Sequence, residues 1–266
     1  MWERLEPLNG NDVKAKDLQP SWARMATSRE MDSVLYPSQI SASLEVQDIP
    51  MELVWTRGMW EKLLRSLRKG QSIEPLDYPG GQHDLTLAFE RWAPASAKVL
   101  VIGSVSPWVE ALLYEHGCRN IVTLDLRKPR SEIEDLRTVD YREWDRAGRR
   151  VDALVSFSTV EHIGLGRYGD AEDEDGDVSW MNDFAYRTLN EGGVQLLAVP
   201  VGEADVSSEA HRIYSPERMA RLLKRWTLLG VIFEGRFMME IPFSKPHRGQ
   251  DWQKQPVLAI RPQASE

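Results

Sequence analysis

A glutamate and a histidine stand side by side at Glu161 and His162, directly after the apolar run VDALVSFSTV and before the glycine-bracketed loop GLGRYGD. An imidazole titrates near neutrality and can take a proton from a reacting group, and an adjacent carboxylate can orient it or meet a ligand amine. Ser158 closes the same run and is a candidate cofactor contact. The loop contributes Arg167, Tyr168 and Asp170 as candidates for shaping a substrate pocket, although Arg167 could equally pair with the acidic run AEDEDGD that follows. Farther along, AHRIY offers a second imidazole, His211, with Arg212 and Tyr214 able to hold an anionic group. A Glu-His pair with a distant His is also a possible divalent-metal donor set. Its closure depends on topology alone, and no metal is assigned.

These residues need a scaffold that brings separate segments together. The run Val151 to Val160 is rich in β-branched and aromatic residues and does not alternate, which suits a strand buried on both faces of a parallel sheet. In open α/β sheets the ligand crevice lies beyond the carboxyl ends of the strands, which is where Glu161 and His162 fall. From Ala95 onward strands and helices alternate: KVLVIG, PWVEALLYEHG, NIVTLD, LRTVD, YREWDRAGR, VDALVSFS, a helix around Trp180 to Leu189, the turn NEGG, and the strand VQLLAVPV. SPERMARLLKRW follows as a helix capped by Ser215, with strands at TLLGVIFEGRF and QPVLAIRP. This alternation predicts a Rossmann-like, doubly wound, mostly parallel sheet over 96–266. Residues 1–95 read as an N-terminal extension or cap, partly helical. Helices are expected over Glu52 to Lys69, ended by Gly70, and over His83 to Ala93, with a loop at Asp77 to Gln82 that could fold over a ligand.

Such a sheet binds a nucleotide-like ligand at the end of its first strand. Gly103 ends that strand. Asp125 ends the second, about 20 residues on, where a carboxylate bonds a ribose diol. Asp140 ends the third, where it could reach a base ring. Ser104, Ser106 and the amide of Trp108 are candidate donors to a carboxylate, and Glu110 is available if the helix begins there. Ser106, before Pro107, also reads as a helix N-cap. Trp108 and Trp180 are candidate pocket walls.

The chain has 266 residues, 42% hydrophobic and 28% charged, ordinary for a globular protein. No run approaches the roughly 18 to 20 apolar residues that span a bilayer. With a start, MWERLEPLNGNDVK, that resembles neither a signal nor a transit peptide, the expectation is a soluble, cytoplasmic protein. The net charge of −8 makes a nucleic-acid partner unlikely and favours a small-molecule substrate. The composition leaves the oligomeric state open. The basic run LRSLRKG reads as a solvated helix end, AEDEDGD as a solvated loop lacking EF-hand spacing, and the single Cys118 as a buried filler.

LNEGG before the fifth strand stands where many class I S-adenosylmethionine-dependent methyltransferases carry LKPGG, and the order of motifs resembles that superfamily. More closely, VLVIGSVSPWVEALL, SFSTVEHIGLGRYGD, GGVQLLAVPVG and AHRIYSPERM resemble the uncharacterised family called domain of unknown function 268, over about Lys98 to Leu223. The resemblance implies a methyltransferase-type fold, S-adenosyl-L-methionine as cofactor, and methyl transfer to an oxygen or nitrogen of a small polar or anionic acceptor. The first motif departs from the superfamily pattern: Val101 stands in its acid position, and Val105 and Pro107 stand in its glycine positions. Two other classes therefore stay open, an enzyme using another nucleotide cofactor, though G-x-G-x-x-G is absent, and a catalytically silent Rossmann-like binding or partner subunit.

Overall fold

The computed structural model describes residues 53–75, 78–126, 128–166, 168, 170–203, 206–207, 211–243 and 255–264. Its centre is an eight-stranded sheet. In chain order the elements are β1 (Val54–Trp55), α1 (Arg57–Arg68), α2 (Gly81–Trp92), β2 (Lys98–Ile102), α3 (Trp108–Glu115), β3 (Asn120–Leu124), β4 (Arg130–Ser131), β5 (Leu136–Val139), α4 (Tyr141–Arg146) and β6 (Val151–Phe157). A 3-10 turn (Val160–His162) leads on to α5 (Gly176–Trp180), a π turn (Met181–Ala185), α6 (Tyr186–Thr188), β7 (Leu189–Ala198), β8 (Val206–Ser207) and β9 (Arg212–Ile213). The chain then runs through α7 (Pro216–Leu222), β10 (Trp226–Phe233), β11 (Arg236–Met238) and β12 (Val257–Pro262).

The sheet order is β11-β10-β12-β7-β6-β2-β3-β5. Strands β5, β3, β2, β6 and β7 are mutually parallel, and β12 runs antiparallel to both β7 and β10. The connections leave β2 in one direction through β3 to β5, then return to β6 on its other side. The β2/β6 boundary is therefore a topological switch point, the place where open α/β sheets bind ligands.

The strands are buried on both faces because each face has its own helical layer. On one, Trp60 and Leu64 of α1, Leu85 and Phe89 of α2, and Leu113 of α3 share a core with Val99, Val101, Val155 and Leu196. On the other, Trp144, Phe184, Met219 and Leu222 pack with Leu100, Leu154, Leu197 and Ile260. Residues 53–92 thus supply much of one layer. The helix expected from Glu52 begins at Arg57: Val54 and Trp55 pair in parallel with Arg130 and Ser131, and the Thr56 hydroxyl caps α1 by accepting the Met59 amide at 3.2 Å.

Other boundaries also moved. NEGG is not a separate turn but an irregular opening of β7, where Gly192 has φ 75° and the register slips between Val151 and Ala153. TLLGVIFEGRF is a hairpin, not one strand; Glu234 and Gly235 turn it with positive φ, and buried Asp84 of α2 accepts both their amides at 2.9 and 2.7 Å. Ser215 caps α7 as its position predicted, and Cys118 is buried.

Candidate active site

The carboxyl ends of β2, β3 and β6 open into a cavity of about 730 Å³. Gly103 lies at its floor with φ 67°, and a Cβ there would stand 2.5 Å from Thr159 Cγ2. The position therefore requires glycine twice over, for its backbone conformation and for the close approach of β6. Thr159 seals the contact by donating its hydroxyl to the Ile102 carbonyl at 2.9 Å. Asp125 lies at the end of β3, and one of its oxygens accepts the Ser104 amide at 3.3 Å.

Ser106 lines the cavity but does not cap α3; Pro107 occupies the cap position, with no side-chain bond to the helix. The Trp108 amide expected to meet a ligand carboxylate is given instead to the Ser106 carbonyl at 2.8 Å, and it is the Trp108 ring that lines the cavity. Asp140 follows β5 but lies outside the lining; its neighbour Tyr141 faces the cavity, and burial pushes the Tyr141 hydroxyl pKa up.

Glu110 is fully buried behind this floor and accepts from the Thr123 hydroxyl at 2.6 Å, with Ser104 Oγ 3.1 Å from its other oxygen. Burial pushes its pKa up to about 7. Ser104 has one hydroxyl proton and a second acceptor, the Ser106 carbonyl, at 2.9 Å. The network closes if Glu110 is protonated and donates to Ser104, which donates to Ser106.

Across the cavity, Ser158 follows β6 with φ 50°, a sparsely populated conformation for a residue with a side chain. Its hydroxyl accepts from Gln255 at 3.0 Å and donates to Glu161 Oε1 at 2.6 Å. Glu161 is fully buried, its Oε2 has no hydrogen-bond partner among the described residues, and burial pushes its pKa up to about 7. His162 lines the cavity with Nε2 3.9 Å from Glu161 Oε1. Tyr168 meets the His162 ring edge-on at 5.4 Å, and His211 meets it at 6.4 Å. The second candidate base, His211, is thus a neighbour of His162, although only His162 lines the cavity. No group of three His, Cys, Asp or Glu residues is placed to hold a metal among the described residues.

The remaining expected substrate contacts are drawn inward. Arg212 is buried and donates to the carbonyls of Glu161 (3.4 Å), Ile163 (2.5 Å), Asp173 (3.2 Å) and Glu174 (3.3 Å). Tyr214 donates to Asp177 at 2.8 Å. Neither lines the cavity. Asp170 does, yet its carboxylate accepts the Gly164 amide at 2.6 Å and the Tyr168 amide at 3.3 Å, which folds the loop. Arg167 lies outside the described residues.

The acidic run is only partly solvated. Asp177 is fully buried and paired bidentately with Arg218, at 2.7 and 3.2 Å, and Asp175 pairs with Arg221. The cavity wall also includes Tyr78, from the segment expected to fold over a ligand, together with Pro75 just before that segment and Trp180.

The family described as Caenorhabditis protein of unknown function, DUF268, matches residues 96–256. The chain belongs to that family. No curated protein matches it. Among solved structures, this DUF268 chain is similar to SMU.776 in complex with SAH, at 12% identity and TM-score 0.46, over 69% of this chain and 50% of the other. It is also similar to TehB from Haemophilus influenzae, at 13% and 0.44 over 74% and 65%, and to the CcbJ methyltransferase from Streptomyces caelestis, at 14% and 0.45 over 72% and 94%. The DUF268 chain spans half the length of the first of these and about two thirds of the second. Its own strand order gives a Rossmann-like, doubly wound, mostly parallel sheet with β12 antiparallel. No described helix is long and apolar enough to cross a membrane.

Proposed function

We propose that this chain is an S-adenosylmethionine-dependent methyltransferase that methylates an oxygen or nitrogen of a small polar acceptor. The observation that carries the reading is the cavity at the β2/β6 switch point, with Gly103, Asp125 and His162 around it. The residues fit the cofactor: Gly103 keeps the backbone turn at the cavity floor without a side chain, and the Asp125 carboxylate stands at the end of β3, where a ribose diol needs an acceptor. Gly103 and Ser106 would hold the amino-acid end, and Ser158 would face the same end from β6. When bound, S-adenosylmethionine supplies an electrophilic methyl group.

The chain's own task is to hold the acceptor atom in line and take its proton. We assign that step to His162, which lines the cavity. An ionised Glu161 behind it favours the imidazolium that results. Tyr168 restrains the ring from its edge.

Isothermal titration with S-adenosylmethionine and S-adenosylhomocysteine tests the reading, with Asp125→Ala beside the parent chain. Micromolar binding that weakens at least about tenfold in the variant is expected, the loss of roughly one strong hydrogen-bonded contact. Folded protein that binds neither ligand would refute the proposal and favour a silent Rossmann-like module or a different nucleotide.

A further inference from the structure

We propose that Glu110, which does not line the cavity, is a positioning residue whose carboxyl fixes the Ser104–Ser106 turn in the form that takes the amino-acid end of S-adenosylmethionine; the cofactor's part in this rests on the methyltransferase reading above.

The turn is tied down by its carbonyls. The Val105 carbonyl accepts Trp55 Nε1 at 3.3 Å, and the Ser106 carbonyl accepts both the Trp108 amide at 2.8 Å and the Ser104 hydroxyl at 2.9 Å. The Ser104 amide goes to Asp125. The amides of Val105 and Ser106 are the donors left over, without a partner among the described residues, and both residues line the cavity. A turn whose carbonyls are held and whose consecutive amides are unused suits a carboxylate.

Glu110 acts on that turn through a proton. Its Oε1 accepts the Thr123 hydroxyl at 2.6 Å, and its Oε2 lies 3.1 Å from the Ser104 hydroxyl, which has one proton for two neighbours. With Glu110 neutral, Oε2 donates to Ser104 and the serine proton goes to the Ser106 carbonyl. With Glu110 ionised, the carboxylate draws the serine proton to itself and the Ser106 carbonyl loses that bond. A buried negative charge then also stands behind the turn, opposing a ligand carboxylate. Binding therefore belongs to the neutral form. Full burial favours that form, and the charge of Asp125 adds to the effect. Charged groups on the helices packed against α3 are engaged elsewhere: Arg68 of α1 pairs with Glu115, Asp84 of α2 holds the hairpin amides, and Arg91 lies over Phe237.

The test is a series from pH 6 to pH 8 on the full chain, with Glu110→Gln and Glu110→Leu beside the parent. Glutamine keeps an acceptor for Thr123 and a donor for Ser104, whereas leucine keeps only bulk. The readouts are the amide NMR shifts of Gly103 to Ser106 without ligand and the calorimetric affinity for S-adenosylhomocysteine. In the parent the amides are expected to titrate with a midpoint of about 7. The affinity is expected to fall about tenfold across the series, the ratio of neutral fractions at its two ends. Both should be flat in the glutamine variant, which retains Glu161 and His162, and the leucine variant should bind weakly throughout. Turn amides that do not titrate in the parent, or that titrate alike in the glutamine variant, would overturn the proposal, as would an affinity that falls equally in both. If the leucine variant does not fold, the glutamine comparison decides. A folded parent that binds no S-adenosylhomocysteine at any pH would defeat the cofactor reading alone, because the turn amides still report whether Glu110 sets the turn.

Discussion

Two fully buried glutamates flank the cavity, Glu110 from α3 and Glu161 from the 3-10 turn after β6, and both have carboxyl pKa values pushed up to about 7 by burial. A carboxyl whose folded pKa exceeds its unfolded value, about 4.5, stabilises the fold below that value. That stability is lost as pH rises through 7. The full span is on the order of 3 kcal/mol for each group, since one pKa unit corresponds to about 1.4 kcal/mol. Glutamine reproduces the neutral carboxyl, so Glu110→Gln is expected to shrink the fall in melting temperature between pH 5 and 8 by about half, leaving the share of Glu161, and to raise the melting temperature at pH 8. Thermal unfolding followed by circular dichroism across that range checks this, and an unchanged pH profile would mean that Glu110 is ionised in the folded chain.

The sequence made part of this site readable. Gly103, Asp125 and the Glu161–His162 pair could be placed because each directly follows an unambiguous strand. Glu110 and Tyr141 were harder to assign, since a helix-borne carboxyl and a tyrosine after a strand look solvated until the opposing layer is known. Arg212 and Tyr214 read as substrate contacts because sequence gives residue type but not direction, and their partners lie about 40 to 50 positions away.

At the scale of elements, the two most distinctive motifs form one unit. The buried Arg212 of β9 spans the carbonyls on both sides of the glycine loop, while Tyr214 and Arg218 grip Asp177 at the start of α5. Gly164 must be glycine here, since its φ is 83° and a Cβ would stand 2.2 Å from the Asp173 carbonyl. Arg212→Met would leave those carbonyls without their donor. Hydrogen bonds from a charged donor contribute about 1.5–3 kcal/mol each and unsatisfied buried acceptors are costly, so a loss of at least 3 kcal/mol is expected. For a domain of this size that lowers the melting temperature by about 6–12 °C. Hydrogen exchange should accelerate first in residues 161–174, and uniform acceleration across the sheet would instead indicate a global packing role.

The strand and helix alternation of the sheet was legible because apolar runs buried on both faces carry no ambiguity of face. The short β1 and the β10–β11 hairpin were not. Two residues of strand carry no periodicity, and the turn at Glu234 is fixed by Asp84, which lies 150 positions away.

For the whole molecule, the unit that folds is longer than the unit the family describes. The family match begins at residue 96, yet Trp55, Trp60, Leu64, Leu85 and Phe89 are buried in the same core as the central strands. Each such side chain contributes about 1.5–3 kcal/mol on burial, so together they supply on the order of 10 kcal/mol, comparable to the entire stability of a typical domain. Tyr78, from the same stretch, also walls the cavity, so the shape of the cavity depends on the packing of this layer. A chain starting at residue 96 would expose Val99, Val101, Val155 and Leu196 along one face of the sheet. It is expected to aggregate or to lack a cooperative unfolding transition, whereas Trp60→Ala in the full chain should fold and lose about 3–5 kcal/mol. Size-exclusion chromatography and thermal unfolding of the two proteins separate the cases. A monomeric, cooperatively melting 96–266 fragment would show that residues 53–92 are an appendage and that the core is complete without them.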